Sequence, residues 1–584
     1  MIRIQIVLLA IVMVCLASSC KTGDNEPTTP AINNVSSVSI STDKAAYQPG
    51  QPVTFTIDKA VPSTTKVRYR HFNEVLSENT ISGTSWNWTP PSSDFTGYMA
   101  DVYNTVDGKD VVYGSIAVDV SSDWARFPRY GFLSGYPQMT SIAINYYINE
   151  LNRYHINGLQ FYDWQYKHHM PLSGTPTNPS AVWTDIANRN TYFTTVKGYI
   201  DAAHSCNMKA MFYNLAYGAL SDAASDGVQD QWRLYKDASH STIAKFDLSS
   251  SMFKSSIWLM DPSNSNWQQY LAARNQDVYT ALGFDGFHID QLGDWGTVYN
   301  YSGQTVNLPA AYGSFINAMK TAKSDKRLVM NAVNQFGQQN IATTPVDFLY
   351  TEVWSPNDGY KDLATIINNN DIYCNNTKKT VLAAYMDYDL ANSNGSFNTA
   401  GVLLTDAVIF AFGGAHLELG EHMLCKEYFP NSNLQMKGDL RNSLFCYYDF
   451  MVAYQNLLRD GGSFNTPAIS CSNGKLLINQ WPPQTGNVAV VGKEMTNRQV
   501  IHLINFTNAT SLAWRDNSGN QAVPAIVEGA ALSFTSSKTI RKIWTASPDI
   551  NYGIPTQLSF TQTGSTVSFT LPSLQYWDMI VVEY

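Results

Sequence analysis

Gly283-Phe284-Asp285-Gly286-Phe287-His288-Ile289-Asp290-Gln291-Leu292-Gly293 is the stretch on which the reading of this chain turns. Its centre, Gly286 to Ile289, is a short apolar run of the buried-strand type, and the residue that follows is an acid. The same rhythm, a short run and then a longer segment of mixed helical character, recurs from Phe127 to about Asp460. Candidate strands are Tyr130 to Leu133, Gly158 to Tyr162, Lys209 to Tyr213, Gly286 to Ile289, Leu328 to Asn331, Phe348 to Thr351, Val381 to Tyr385 and Ala415 to Leu419. Eight strands alternating with helices predict a central (β/α)8 TIM barrel with its active site at the C-terminal ends of the strands. About 70 residues separate the third strand from the fourth, so elaborated loops are expected at the mouth.

On either side the period changes from helical to alternating. Val38-Ser39-Ile40, Val53 to Ile57, Val67 to Arg70 and Val111 to Val120, parted by turn clusters such as Gln48-Pro49-Gly50-Gln51-Pro52, predict an immunoglobulin-like β-sandwich over 35–122. Trp86 and Trp88 share a strand face there and are read as core aromatics. Alternation returns in Leu476 to Gln480, Val488 to Val491, Val500 to Phe506, Ile540 to Trp544 and Val567 to Leu571, which predicts a C-terminal β-sandwich over 461–584. The barrel is assigned to 123–460.

Strand tips facing a barrel's mouth are where chemistry is placed. Asp290 holds the tip of the fourth strand, and in Phe348-Leu349-Tyr350-Thr351-Glu352-Val353-Trp354 the equivalent tip of the sixth is Glu352. Cleaving a glycosidic bond needs one carboxylate to attack or stabilise an oxocarbenium-like centre and a second carboxyl to protonate the departing oxygen. Asp290 as nucleophile and Glu352 as acid/base suit those roles. A lone acid after a strand is more often a turn or cap residue. Recurrence at matching tips two βα units apart argues for function here. Asp285 precedes its strand, at the barrel's bottom, and is read as structural.

Spacing separates barrel families. Gly283 to Asp290 superficially resembles the nucleophile strand of α-amylases, whose acid/base follows on the very next strand, where this chain has Asn331 and Asn334. Placement after strands four and six resembles instead the clan containing α-galactosidases and dextranases. Within it, the three-part organisation together with Gly286-Phe287-His288-Ile289-Asp290-Gln291-Leu292-Gly293 and Tyr350-Thr351-Glu352-Val353-Trp354 resembles glycoside hydrolase family 66, the endo-dextranases and cycloisomaltooligosaccharide glucanotransferases. The resemblance implies retaining endo-hydrolysis of α-1,6 linkages in dextran to isomaltooligosaccharides, without a cofactor. It also implies an acidic substrate-binding residue at Asp163, the tip of strand two in Gly158-Leu159-Gln160-Phe161-Tyr162-Asp163-Trp164. Glucanotransferases of the family usually carry a sugar-binding module inserted in the barrel, for which this barrel region is short. The alternatives are a ring-forming glucanotransferase, a non-catalytic glycan-binding lipoprotein and an exo-acting α-glycosidase of the same clan.

Other strand ends supply further candidates for sugar contact: Tyr166, His168 and His169 after strand two, Asn214 and Tyr217 after strand three, Asn331 and Asn334 after strand five, Asp387 and Asp389 after strand seven, and Glu418, Glu421 and His422 after strand eight. Trp164, Trp295 and Trp354 are candidate stacking platforms. His288 shares the inward face of Asp290, in a supporting role. No metal is expected. His168 and His169 are adjacent and diverge, and the loop holding Asp387, Asp389 and Asn392 to Gly395 lacks the regular spacing of a calcium loop.

Composition agrees with an exported, sugar-handling protein. The 584 residues are 44% hydrophobic, 13% aromatic and only 15% charged, with a formal net charge of −9, which excludes a coiled-coil or disordered chain and disfavours nucleic acid as a partner. Residues 1–20, with Arg3 ahead of the apolar run Ile6 to Ala17, have the order of a secretory signal. Ala17-Ser18-Ser19-Cys20 resembles a bacterial lipobox, with Cys20 the lipidation site and 21–34 a polar tether. The expected address is therefore that of an exported outer-membrane lipoprotein, at the cell surface or the periplasmic face, touching membrane through its lipid alone. Cys206, Cys374, Cys425, Cys446 and Cys471 are scattered and odd in number, which argues against a disulfide framework.

Overall fold

The computed structural model describes residues 36–584. The leader, Cys20 and the tether lie outside the described residues. All eight candidate runs form the strands of one parallel sheet: β1 (Tyr130–Leu133), β2 (Gly158–Phe161), β3 (Lys209–Leu215), β4 (Gly286–Asp290), β5 (Arg327–Asn331), β6 (Leu349–Glu352), β7 (Thr380–Ala383) and β8 (Ala415–His416). The ring closes where the Phe132 amide donates to the Leu419 carbonyl across 3.1 Å and Phe132 pairs with Gly420. A Cβ on Gly420 would lie 2.5 Å from the Phe132 carbonyl oxygen, so only glycine permits this approach.

Helices follow the strands in order: α1 (Ser141–Arg153), α2 (Phe193–Ser205), α3 (Ser265–Ala281), α4 (Leu308–Ala322), α5 (Gln338–Ala342), α6 (Tyr360–Tyr373), α7 (Thr399–Ala411) and α8 (Gly438–Ala453). In β4 the period of two decides the orientation. Phe287 and Ile289 join the core between barrel and helices, while His288 points inward among Tyr130, Tyr213 and Tyr350. Gly286 is required by packing, since a Cβ there would collide with the Arg327 carbonyl. α7 is buried on all sides from Ala400 to Ala411, Asp406 included, because it also contacts the strand Arg498–Asn505 of the C-terminal region.

The long β3–α3 connection carries a small sheet of Gly218–Ala219, Ile257–Leu259 and Lys245–Phe246, which overhangs the mouth. Before the barrel, a three-stranded sheet (Ile40–Thr42, Val53–Ile57, Ser85–Trp88) and a four-stranded one (Glu74–Thr80, Lys66–His71, Thr96–Val106, Lys109–Val120) share one apolar cluster. Trp86 stacks on Phe55 and Trp88 on Tyr69, so both are core aromatics. After the barrel, two further sheets share a cluster that includes Val490, Leu503, Leu532 and Ile580. Buried polar contacts hold the N-terminal sheets to the barrel: Arg129 pairs with Asp119 at 2.7 Å, and Asp449 of α8 accepts from the Ala117 amide at 2.8 Å, pairs with Arg153 and is hydrogen-bonded to His155. The cysteines among the described residues form no disulfide.

Candidate active site

β4, β5 and β6 end side by side, and their last residues are Asp290, Asn331 and Glu352. The parallel register carries this placement: Ile289 pairs with Met330, Asn331 with Tyr350, and Glu352 with Ala383. Asn331 Nδ2 donates to both acids, 2.8 Å to Asp290 Oδ1 and 3.1 Å to Glu352 Oε2. Those two contacts hold the bridged oxygens no more than about 6 Å apart, close enough for a pair of glycosidase carboxyls. Asp290 also accepts from the Tyr213 hydroxyl at 2.7 Å and from the Gln291 amide at 2.8 Å, and Glu352 accepts from the Tyr385 hydroxyl at 2.7 Å.

These donors sort the two acids. Burial raises the pKa of each, and the neighbouring Asp290 charge raises that of Glu352 further, to about 7. Three hydrogen bonds favour the ionised form of Asp290 against two for Glu352, so a single shared proton resides on Glu352. Both side chains face a cavity of about 620 Å³ that is also lined by Asp163, His168, Trp354 and Phe429 and roofed by Phe246 to Ile257 of the β3–α3 connection. That volume suits a saccharide-sized ligand.

Six of the sequence candidates lie at or between these groups: Asp290, Glu352, Asn331, Asp163, His168 and Trp354. Burial raises the pKa of Asp163 to about 7, with Arg189 opposing the shift, and lowers that of His168 to about 4. His168 Nδ1 donates to Asn214 Oδ1 at 2.9 Å, which leaves its buried Nε2 unpartnered beside the cavity, as is Gln160 Oε1. Asn331 contacts the two acids rather than lining the cavity.

The other candidates lie elsewhere. Trp164 is fully buried against Trp183, Phe212 and Phe284, because its loop folds back into the core; it is no stacking platform. Asn214 lies on the opposite face of β3 from Tyr213 and holds His168 from behind. Tyr217 is buried and accepts from the Leu292 amide at 2.7 Å, bracing the loop after Asp290. His288 sits below the acids, its Nδ1 3.2 Å from the Tyr130 hydroxyl, held neutral by burial. Asp387 accepts from the Asn398 amide at 2.8 Å just before α7, and Glu421 accepts from the Ser134 amide and hydroxyl at 2.7 Å each; neither lines the cavity.

Tyr213, Tyr385 and the segment Glu427 to Phe429 were not among the sequence candidates. Tyr213 and Tyr385 were the last residues of two candidate strands, the position from which a side chain reaches the mouth. Two further groups bring His, Asp and Glu within reach of a common ion among the described residues. In His169, Asp222 and Asp226 the cation is already supplied, since Lys167 Nζ lies 2.7 Å from each aspartate. The other is Asp406, His416 and Glu418, sealed beside β8.

A (β/α)8 barrel presenting two bridged carboxyls to a saccharide-sized cavity defines a glycoside hydrolase. Residues 42–581 match the family model for Glycosyl hydrolase family 66, and the chain belongs to that family. It is 27% identical over 706 aligned residues to a cycloisomaltooligosaccharide glucanotransferase of Niallia circulans, covering 93% of this chain and 72% of that protein. To a dextranase of Streptococcus salivarius it is 26% identical over 576 residues, covering 84% and 67%. Among solved structures, a Paenibacillus sp. cycloisomaltooligosaccharide glucanotransferase complexed with cycloisomaltoheptaose matches with a TM-score of 0.86 at 26% identity, over 94% of this chain and 99% of that one.

Proposed function

We propose that the protein cleaves internal α-1,6 linkages of dextran with retention of configuration, releasing isomaltooligosaccharides. The observation that carries this reading is the Asp290–Asn331–Glu352 bridge at the cavity wall. It caps the distance between the bridged oxygens at about 6 Å, which admits the 5–5.5 Å of retaining pairs and favours them over the 6.5–9.5 Å that an inverting enzyme needs for a water between its acids. Asp290, ionised, attacks the anomeric carbon. Glu352, protonated, gives its proton to the departing oxygen and then takes one from the water that resolves the glucosyl-enzyme. The His168 Nε2 atom and Gln160 Oε1 are unspent polar groups that would receive sugar hydroxyls, Asp163 would accept from others, and Trp354 would stack on a sugar face. The relatives' names supply the linkage.

A second reading, transfer to a sugar hydroxyl to close a ring, uses the same intermediate. The alignment with the Niallia enzyme is longer than this whole chain, 706 positions against 584 residues, so that relative carries insertions absent here, which favours hydrolysis. The proposal extends to the chain's organisation: an immunoglobulin-like sandwich over 35–122, the barrel over 123–460, a C-terminal sandwich over 461–584, and a leader ending at Cys20 that anchors the enzyme by lipid to the outer membrane.

The test is incubation of purified protein with dextran, pullulan and starch. Reducing ends should appear on dextran alone, the first product should be the α-anomer by proton NMR, and mass spectrometry should show linear rather than cyclic products. A β-anomer as first product would sink the retaining assignment, and rings as the main product would establish the transferase.

A further inference from the structure

Arg515 reaches the barrel mouth from outside the barrel. It lies in the segment between the C-terminal strands Arg498–Asn505 and Val527–Thr535, and that segment is stitched to the loops flanking Glu352. The Tyr360 amide donates to the Leu512 carbonyl at 3.0 Å, the Trp514 amide to the Asp358 carbonyl at 3.1 Å, the Trp514 indole to the Asn357 carbonyl at 2.7 Å, and the Asp387 amide to the Arg515 carbonyl at 2.8 Å. The C-terminal region thus fixes both the β6–α6 and the β7–α7 connections.

The side chain that this segment delivers is placed for a purpose other than ion pairing. The guanidinium carbon lies 4.8 Å from the Trp354 ring centroid, 5.1 Å from that of Tyr388 and 4.7 Å from that of Trp514. Nη2 donates to the Val353 carbonyl at 2.7 Å, and Nη1 is buried without a partner. Asp358 and Glu352 act on this cation only through space, with no salt-bridge contact, and burying it among rings and a carbonyl costs desolvation that the ring contacts offset in part. The rings it touches lead to the reacting groups. Trp354 stands edge-on to Tyr388 at 5.6 Å and tilted to Tyr385 at 5.5 Å, and Tyr385 donates to Glu352.

We propose that Arg515 is a positioning residue of the active site, holding the Trp354 ring from behind in the orientation in which it receives a sugar. This rests on the reading of the cavity as a glucan site. Planarity is what the role requires: a guanidinium can lie along several ring faces and still donate in its plane to the Val353 carbonyl, whereas an ammonium cannot.

The test is a set of four variants, Arg515→Met, Arg515→Lys, Trp354→Ala and the double variant Arg515→Met with Trp354→Ala, each assayed on isomaltoheptaose and melted. Arg515→Met should raise KM roughly tenfold while kcat stays within about twofold, and Arg515→Lys should not restore KM. The double variant should be no worse than Trp354→Ala alone, since the arginine acts through the tryptophan. Unchanged KM in a folded Arg515→Met protein, additive losses in the double variant, or full recovery with lysine would each overturn the proposal. Should Arg515→Met not fold, Arg515→Lys replaces it in both single and double form, and a wild-type KM there overturns the proposal. Absence of any glucan cleavage by the wild-type protein would instead defeat the functional reading. In that case the melting cycle decides: Arg515→Met should lower Tm less in the Trp354→Ala background than in the wild type, and equal losses in both would exclude the contact.

Discussion

Two acidic clusters lie at strand ends of this barrel, the second shared with α7, and they are built from similar side chains to opposite effect. At β4 and β6, Asp290 and Glu352 are half-buried on a cavity and their donors are the neutral groups of Tyr213, Tyr385 and Asn331. At β8, Asp406, His416 and Glu418 are 0%, 2% and 1% exposed. His416 Nδ1 lies 2.8 Å from Asp406 and 3.4 Å from Glu418, its Nε2 bonds to the Ala384 carbonyl, and the Tyr448 hydroxyl donates to Glu418 at 3.0 Å. Burial and the neighbouring Asp406 raise the pKa of Glu418 to about 8. Burial also raises the pKa of Asp406 well above its ordinary value, so both clusters hold a carboxyl proton near neutrality. In the first, that proton faces a space where a ligand can take it; in the second, it can only stabilise its own neighbours. Access, rather than residue type or pKa, separates a site from a buried network.

The comparison breaks most visibly at Asp290. Asp290→Asn should lower turnover of dextran by at least about 10⁴-fold, the scale of a lost nucleophile, with Tm unchanged or raised because one of two adjacent acids is neutralised. Reducing-sugar assays and melting curves check both halves. Residual activity within tenfold of wild type would remove Asp290 from the mechanism.

Glu352→Gln comes next, with an expected loss of about 10³-fold on dextran. The loss should shrink on an α-isomaltosyl fluoride, whose leaving group needs no proton. Equal losses on the two substrates would show that Glu352 is not the acid. In wild type, activity should fall on the alkaline side as Glu352 deprotonates near its pKa of about 7, and on the acid side as Asp290 takes up a proton.

Asn331→Ala probes the bridge, and a smaller effect follows, roughly ten- to a hundredfold in kcat. Its amide donates to both carboxylates and lowers the pKa of each, so its removal should move the alkaline limb of the pH profile upward. An unmoved limb would mean that the bridge positions the acids without tuning them.

How far the sequence carried this picture depends on whether a property is local. Each barrel strand was legible because an apolar run with a polar tip has few other solutions, and Asp290 and Glu352 were legible because their tips are two units apart. The sequence misled where orientation depended on long-range packing. Trp164 follows a strand tip as Trp354 does, yet the chain after β2 turns its ring into the core, while Arg515 behind Trp354 holds that ring at the cavity. Tyr213 and Tyr385 end two candidate strands, but period-two alternation alone does not say which inward tyrosine is high enough to meet a carboxylate. Arg515 carried no signal at all, since its partner is more than 150 residues away.

The smallest expected effect tests the sealed cluster, where function should be indifferent and stability should respond to pH. Glu418 has a folded pKa of about 8 against an ordinary carboxylate value in the unfolded chain. Between those values the folded state binds a proton that the unfolded state does not. The resulting stability is complete below the unfolded pKa and is lost as pH rises through the folded one. Glutamine at this position mimics the protonated acid and removes that dependence. The Tm of Glu418→Gln minus that of wild type should therefore increase from pH 5 to pH 8 and level off above it, by a few degrees at most. Activity at each pH should stay within about threefold of wild type, because Glu418 has no face on the cavity. A flat Tm difference would mean that Glu418 is ionised in the folded protein, and a large loss of activity would join the two clusters into one site.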